Sequence, residues 1–304
     1  MSITIDEVLG KAENRYFGSK YKSISHKITR FWKEGNDYFL KGTVSSLQNW
    51  SIKKSVAQKQ HLSSVDCLVF SCLAFEEYME KVEPSVNVEN LKLTSFKVEM
   101  GKAPLENLID IDIHLISPQK NDDTLSLEIM VGNMKVRGTF QKFLGTKRNK
   151  NKEVESYWKN HIKHLTNKIE NIEFKENSTV TAQISVMKET IYNYSGLQSG
   201  FENEMSLLSF LIIFAQLAES IAYHHDCILR EDSENFWVRS LYAEISPQFS
   251  GKIGDILHLE TNIKKANIIK VGDKTWNAMQ MIGYDSNHLV TFKGKTAHII
   301  KEKN

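Results

Sequence analysis

The residues best suited to chemistry lie in one short run, HLSSVD (61–66), where an apolar helix is predicted to begin. Between Val65 and Phe75 the only charged residue is Asp66, so we expect this helix to be buried on nearly all sides. The N–H groups and the dipole at its start favour an oxyanion or a polarised carbonyl, and a neighbouring histidine or carboxylate can move protons. This combination suits thioester chemistry, with the acyl tail in an apolar slot and His61, Ser64 and Asp66 as candidate catalytic residues.

The same run also has a structural interpretation. Ser63, followed three residues later by Asp66, has the form of a capping box, in which the carboxylate only satisfies backbone donors and contributes about 1 kcal/mol. A lone histidine at the end of a loop is more often structural than catalytic. Both interpretations stay open, and the catalytic one predicts that His61 takes a proton and is oriented by Asp66.

Near a second apolar helix the matching position is Glu204, in a loop that also contains Tyr194. Glu204 is predicted either to serve a second site or to compensate the dipole of the first helical turn. The run HHD (224–226) has the composition of a metal site. Adjacent helical residues point in different directions and no partner follows at i+4, so we predict no metal.

The second apolar segment, SLLSFLIIFAQLAESIA (206–222), is interrupted by Gln216 and Glu219. Its apolar part is shorter than the roughly 20 residues that a membrane span needs. We therefore predict a second buried helix and no membrane partner.

The chain contains an internal repeat. The strand LKLTSFKVEM (91–100) aligns with FWVRSLYAEI (236–245) at a shift of 145 residues, and the two helices align at a shift of 143. Each half has an opening strand, at 37–47 or 178–189, then an apolar helix and then long strands with alternating apolar residues.

This order of elements predicts an α+β fold, a double hotdog: two tandem hotdog repeats, each a long antiparallel sheet wrapped round one central apolar helix. Only a helix enclosed by a curved sheet has reason to be apolar on every face. The alternative is an α+β protein with two similar domains of another fold. The predicted domains are an N-terminal hotdog (1–141), a basic linker with an amphipathic helix (142–177) and a C-terminal hotdog (178–304).

Two features define the predicted linker. It opens with basic residues, which either are solvated or form a docking surface for an acidic carrier protein. They are followed by apolar residues at helical spacing. The basic residues are Lys142, Lys147, Arg148, Lys150 and Lys152, and the apolar ones are Val154, Trp158, Ile162, Leu165 and Ile169.

Composition limits the classes of function. The chain has 304 residues, 41% hydrophobic, and a formal net charge of +2, which gives no nucleic-acid footprint. Cys67, Cys72 and Cys227 are too few for a disulfide scaffold and are predicted to be core residues of a cytosolic protein. The N-terminus lacks the apolar stretch of a signal peptide. We expect a cytoplasmic protein without nucleic-acid partners.

Three segments resemble the avirulence-D (AvrD) family of bacterial proteins, which direct synthesis of syringolide-type acyl-sugar signals. They are LGKAENRYFGSKY (9–21), NWSIKK (49–54) and HLSSVDCLVFSCLAFEEYM (61–79). That family is similar to the hotdog proteins of γ-butyrolactone synthesis (AfsA-like). The resemblance implies transfer or condensation of a β-ketoacyl group onto a small sugar-like hydroxyl acceptor such as xylulose. The donor would be an acyl-carrier-protein or CoA thioester, and no cofactor is implied.

Within this hypothesis His61 deprotonates the acceptor, and the predicted binding residues are Trp50, Ser51, Lys54, Tyr194 and Glu204. Two alternatives stay open. One is a non-catalytic module that binds an acyl signal, and the other is a hotdog thioesterase or dehydratase. The run SIKKSVAQKQHLSS (51–64) lacks the His-Phe-Pro-Gly of dehydratase hotdogs, which counts against dehydration. We expect a monomer or a homodimer, the latter through exposed sheet edges.

Overall fold

The computed structural model describes residues 2–143, 154–190 and 192–300. The α-helices are α1 (Ile5–Leu9), α2 (Ser64–Val82), α3 (Tyr157–Asn160) and α4 (Leu207–His225). The strands of the first half are β1 (Ile24–Glu34), β2 (Asp37–Ser46), β3 (Ile52–Lys53), β4 (Val56–Ala57), β5 (Leu91–Glu99), β6 (Ile111–Asn121), β7 (Thr124–Val131) and β8 (Met134–Lys142). Those of the second half are β9 (Glu155–Ser156), β10 (Leu165–Lys175), β11 (Thr179–Lys188), β12 (Tyr194–Ser195), β13 (Trp237–Ile245), β14 (Ile256–Val271), β15 (Lys274–Asp285) and β16 (Val290–Ile300).

Twelve of these strands form one continuous antiparallel sheet in the order β1-β2-β6-β7-β8-β5-β13-β16-β15-β14-β11-β10. The order divides between β5 and β13 into two halves that match strand for strand, from β1 with β10 at the edges to β5 with β13 at the centre. The short pairs β3–β4 and β9–β12 lie outside this sheet.

The seam between the halves shows the repeat in its register. Glu99 pairs with Ser240, and Ser95 pairs with Glu244, so the pairing is symmetric when each residue is exchanged for the one 145 positions away. This is the shift predicted for these two strands.

Each 19-residue helix lies inside its half of the sheet. Helix α2 contacts all six sheet strands of the first half, and α4 contacts at least β10, β11, β13, β14 and β15 of the second. Every residue from Ser64 to Phe75 is buried, as predicted for a helix without a charged face. By length and composition α4 could cross a membrane, but 78% of its apolar window is buried within the protein, as in a core helix. The arrangement is consistent with a double hotdog.

The predicted amphipathic helix after residue 154 is wrong. Only one α-helical turn forms, at Tyr157–Asn160, and a 3₁₀ turn leads from it into strand β10 at the edge of the second half. Leu165 and Ile169 are both buried, because a spacing of four positions returns to one side of a strand as well as of a helix. The basic residues at 147–152 lie outside the described residues.

One of the three cysteines departs from the prediction. Cys67 and Cys72 are buried, whereas Cys227 is exposed. It follows the end of α4 with a positive φ of 53°, so it belongs to the turn that leaves the core and not to the helix.

Two glycines allow the sheet to approach the helices closely. A Cβ added at Gly42 of β2 would lie 2.6 Å from the ring of Phe70, and one at Gly283 of β15 would lie 2.3 Å from the ring of Phe214. Each glycine therefore gives room to a helix phenylalanine in its own half.

We predict that Gly42→Ala lowers the free energy of unfolding by roughly 1–3 kcal/mol, because the added methyl overpacks a closed core. The matched control is Gly294→Ala on β16, where a Cβ would meet nothing nearer than 3.9 Å. Urea-induced unfolding measures both changes. Equal stability of the two variants would contradict this account of the core.

Candidate active site

The start of α2 is held by a buried network of four side chains. Asp66 accepts hydrogen bonds from the N–H of Ser63 at 2.8 Å, from the hydroxyl of Ser63 at 2.7 Å and from His26 Nε2 at 2.7 Å. The Ser63 oxygen in turn accepts from the Asp66 N–H at 3.1 Å. Because the Ser63 hydrogen is used on Asp66, Tyr16 donates its hydroxyl to Ser63 at 2.8 Å. Burial, together with the charge of Asp66, raises the pKa of Tyr16.

This network decides between the two interpretations of Asp66. The capping box is present in both directions, as its form predicted. The prediction that Asp66 orients His61 is wrong, since its remaining oxygen pairs with His26 of β1. Strand β1 crosses the start of α2, and the His26 ring meets Phe70 edge-on at 5.2 Å. His26 and Tyr16 were not predicted.

His61 lies just outside the network, half-buried between two indoles. Its ring centre is 4.1 Å from that of Trp50 and 4.9 Å from that of Trp237. Its Nδ1 lies 3.3 Å from the Lys59 carbonyl, which can only accept, so the contact places the hydrogen on Nδ1 and leaves a lone pair on Nε2. Burial lowers the pKa of His61, which keeps the ring neutral at neutral pH.

The other predicted residues of this half lie at different distances from the network. Ser64 is the buried first residue of α2, and Trp50 meets Tyr16 with ring centres 4.9 Å apart. Ser51 accepts from Arg230 at 2.9 Å. Lys54 points away and pairs with Asp232 on the surface.

The lysine that enters the protein is Lys53, one residue before Lys54. Its Nζ donates to the hydroxyl of Ser233 at 2.8 Å and to the carbonyl of Glu234 at 2.6 Å. Burial lowers the pKa of Lys53 to about 8. The loop after β2 therefore reaches from the start of α2 to residues of the second half.

The start of α4 has its own buried cluster. The N-cap Ser206 lies 3.1 Å from His161 Nε2, and His161 Nδ1 lies 2.7 Å from the Tyr157 carbonyl. The carbonyl fixes the hydrogen on Nδ1, so Ser206 donates to Nε2. Burial lowers the pKa of His161 to about 3. Tyr194 packs against Tyr157 with ring centres 5.7 Å apart, which places it at this helix start as the sequence suggested.

Glu204 lies outside α4, two residues before the cap. Its carboxylate pairs with the buried Lys92 of β5 at 2.5 Å, and its backbone bridges to Lys252. The interpretation as compensation of the first helical turn is wrong, because the helix begins only at Leu207.

The two helix starts are equivalent in backbone but differ in chemistry. The third residue is Asp66 in α2 and Ser209 in α4. On the edge strands, the third residue of β1 is His26 and the third residue of β10 is Asn167. They pair with Val44 of β2 and Val186 of β11, which are equivalent positions. The buried histidine–carboxylate pair thus occurs at α2 and is replaced by two neutral residues at α4. A tyrosine lies at the matching position of both halves, Tyr16 and Tyr157, which are 141 positions apart. This repeated tyrosine is the sequence feature that could have located the region.

The run 224–226 does not gather around one point. His224 stacks on Phe174 with ring centres 4.0 Å apart, and His225 donates to the Asn177 carbonyl at 2.7 Å. Asp226 accepts from Asn277 at 2.8 Å. Within the described ranges no group of three His, Cys, Asp or Glu side chains is placed to hold a metal ion.

Comparison with known proteins gives a family match over nearly the whole chain. The family described as Pseudomonas avirulence D protein (AvrD) matches residues 2–300. No protein with a curated description matches significantly.

Solved structures with a similar fold include a 12:0-ACP thioesterase from Umbellularia californica, with 9% identity, a TM-score of 0.44 and coverage of 88% of this chain and 99% of that one. They also include acyl-CoA thioesterase II TesB2 from Mycobacterium marinum, with 7% identity, a TM-score of 0.42 and coverage of 91% and 97%. A third is a hot dog fold protein from Alicyclobacillus acidocaldarius, with 7% identity, a TM-score of 0.43 and coverage of 90% and 97%.

We predict that the His26–Asp66 pair is energetically coupled. Asp66→Ser should lower the free energy of unfolding by roughly 1–3 kcal/mol, because it leaves a buried ring nitrogen without its partner. Combining it with His26→Asn recreates the residues of the second half, so the double variant should lose less than the sum of the single variants by about 1 kcal/mol or more.

The control for this cycle is the more exposed pair His114–Asp37, whose atoms are 2.9 Å apart. The corresponding cycle there should give a coupling of roughly 0–1 kcal/mol. Strictly additive costs at His26 and Asp66 would contradict the proposed coupling. Urea-induced unfolding measures both cycles.

We predict a pH dependence of stability from His161. The unfolded chain binds a proton at His161 below its ordinary pKa of 6.5, while the folded protein does not bind it until about 3. The stability that the neutral ring contributes is therefore present above pH 6.5 and is lost as the pH falls from 6.5 to about 3. The slope of the unfolding free energy against pH is set by the difference in the number of protons bound by the unfolded and folded states. In His161→Gln that difference should be smaller by up to about one proton. His258→Gln, at an exposed position of β14, is the control, and an unchanged slope in His161→Gln would refute the prediction.

Proposed function

We propose that this chain, which belongs to the avirulence-D (AvrD) family, is an acyl-thioester enzyme built from two hotdog repeats. In this proposal it transfers or condenses a β-ketoacyl group onto a hydroxyl of a small sugar-like acceptor, in synthesis of a syringolide- or butyrolactone-type signal. The observation that carries the proposal is His61: a neutral imidazole whose Nε2 keeps its lone pair, held between two indoles beside the start of a buried helix.

The helix start supplies the electrostatic part of the mechanism. The cap occupies the N–H of Asp66, so the donors assigned to the thioester carbonyl are the N–H groups of Ser64 and Val65 in the first turn of α2. These groups would stabilise the oxyanion that forms when the carbonyl is attacked.

His61 supplies the proton transfer. Its Nε2 takes the proton of the acceptor hydroxyl as the oxygen attacks the thioester carbonyl. The tetrahedral intermediate then expels the thiolate, which receives that proton from the imidazolium, and the products are an acyl ester and a free thiol. Asp66, with both oxygens engaged by Ser63 and His26, is a positioning residue that holds the helix start.

The acceptor site is assigned to the indoles. Trp50 and Trp237 flank His61, and their faces suit the apolar side of a sugar-like molecule. Ser51, through Arg230, and Lys54, through Asp232, join the same loop to the second half. Tyr194 and Glu204 occupy the corresponding region at α4.

The donor in this proposal is an acyl-carrier-protein or CoA thioester, and the reaction needs no cofactor. The enzyme would act in the cytoplasm as a monomer or a homodimer.

The test is mass spectrometry of products after incubation with β-ketoacyl thioesters of both donor types, with and without xylulose. We expect an acyl-sugar mass whose rate of formation falls by roughly 100-fold or more in His61→Ala, the scale of a lost general base. His258→Ala, at an exposed position of β14, is the control and should keep its activity, and circular dichroism should show both variants folded. Release of the free acid alone would indicate a thioesterase, and a retained ligand without turnover would indicate a binding module; both outcomes would overturn the proposal.

A further inference from the structure

The repeat places a glutamate at the same position of both central helices. Glu76 is the thirteenth residue of α2, and Glu219 is the thirteenth residue of α4. Both helices are capped by a serine at the same distance, Ser63 and Ser206. The two carboxylates can therefore be compared as equivalent groups in two different surroundings.

At Glu219 the protein supplies its own cation. The Arg230 Nε lies 3.6 Å from the carboxylate, and the side chains of the pair are only 4% and 13% exposed. Tyr223 also donates its hydroxyl to Glu219 at 3.0 Å. Arg230 begins the short 3₁₀ helix Arg230–Asp232, between α4 and β13. This space is filled by a guanidinium group.

At Glu76 the corresponding space is open. A cleft of about 750 Å³ lies beside this carboxylate, and among the described residues no lysine, arginine or histidine forms an ion pair with it. The connection from α2 to β5 also contains a short 3₁₀ helix, Val88–Asn90, and its first residue, Val88, is one of the cleft walls.

The charge of this lining has one sign. Among the described residues it contains Glu76 and Glu80 and no lysine, arginine or histidine. The loop opposite α2 holds Glu76 in place, since the Leu197 N–H donates to its Oε1 at 3.1 Å. Gly196 has a φ of +87°, and a Cβ there would lie 1.8 Å from the same oxygen. Backbone thus closes one side of the carboxylate and the cleft leaves the other accessible.

We propose that this cleft is a binding site for a small organic cation, a molecule with an ammonium or guanidinium group that pairs with Glu76 as Arg230 pairs with Glu219. The ligand supplies the charge that the second half carries in its own chain. A carboxylate in a partly desolvated position gains most from a cation that arrives with hydrogen-bond donors. The inference does not depend on the acyl-transfer proposal, because the cleft lies about ten residues, or roughly 15 Å, along α2 from Asp66.

The protonation of Glu76 gives this proposal a signature. Burial raises the pKa of Glu76 to about 7, with the neighbouring charges of Glu80 and Glu77 adding to the rise and that of Lys159 opposing it. Glu89 also faces the cleft. A bound cation favours the ionised carboxylate, so affinity should rise between about pH 6 and about pH 8 and binding should release protons.

The experiment is calorimetric titration of the full chain with agmatine, which carries both a guanidinium and an ammonium group, and with the neutral polyol xylitol. We expect agmatine to bind with one site, and the affinity to fall by roughly tenfold or more in Glu76→Gln, the loss of one charged contact. Val88→Arg supplies an internal cation from the wall of the cleft and should abolish binding. Glu128→Gln on β7, whose native side chain pairs with Lys135 at 2.6 Å, should bind as the wild type does.

Thermal unfolding of each variant shows that it is folded before it is titrated. Titrations in buffers of different ionisation enthalpy measure the released protons. Agmatine binding that is unchanged in Glu76→Gln and Val88→Arg, equal binding of xylitol, or no agmatine binding to the wild type would each overturn the proposal. Acyl transfer with none of these binding changes would leave the proposed function intact and reject the cation site alone.

Discussion

Two central helices without a charged face constrain the whole molecule, because each must be enclosed on every side. A single sheet edge or one packed layer cannot do this, so the sheet curves around each helix and brings six strands to it. The seam between β5 and β13 joins the two enclosures through a symmetric register. Close approach is possible where a glycine faces a helix phenylalanine, as Gly42 faces Phe70.

Enclosure also forces the polar ends of the helices inside the protein. Buried N–H groups must find partners, and both helices use a serine cap, Ser63 and Ser206. The first cap is reinforced by Asp66 and His26, and the second by His161. The result is a group of polar side chains at the edge of an apolar interior, and the proposed thioester chemistry rests on this arrangement.

The repeat gives the two halves the same backbone but not the same chemistry. At the start of α2 there is a histidine–carboxylate pair, and the equivalent residues at the start of α4 are an asparagine and a serine. Farther along the helices, Arg230 fills the space beside Glu219, while the space beside Glu76 is a cleft. Each half therefore serves as the internal reference for the other, and the residues that break the symmetry are those to which we assign function.

Local pattern was sufficient for much of the fold. The uninterrupted apolar run after Asp66 predicted a buried helix, the opening strand predicted at 37–47 forms as β2, and the capping box could be recognised from Ser63 and Asp66. Pattern failed at Leu165 and Ile169, where a spacing of four fits both a helix and a strand, and only pairing with β11 selects the strand. The edge strands β1 and β10 were missed because their outward residues are polar and mask the alternation.

The amino-acid sequence by itself determined which segments are buried, how the halves repeat and where polar residues enter the core, since these depend on neighbours along the chain. Only the tertiary structure decided which polar residues meet. Asp66 lies five residues from His61 but bonds His26, forty residues away, because β1 crosses the helix start. Glu219 meets Arg230 while Glu76 meets a cleft, because the connecting turns after the two helices differ in their side chains. Such pairings depend on the direction of approach of separate elements, which no local spacing encodes.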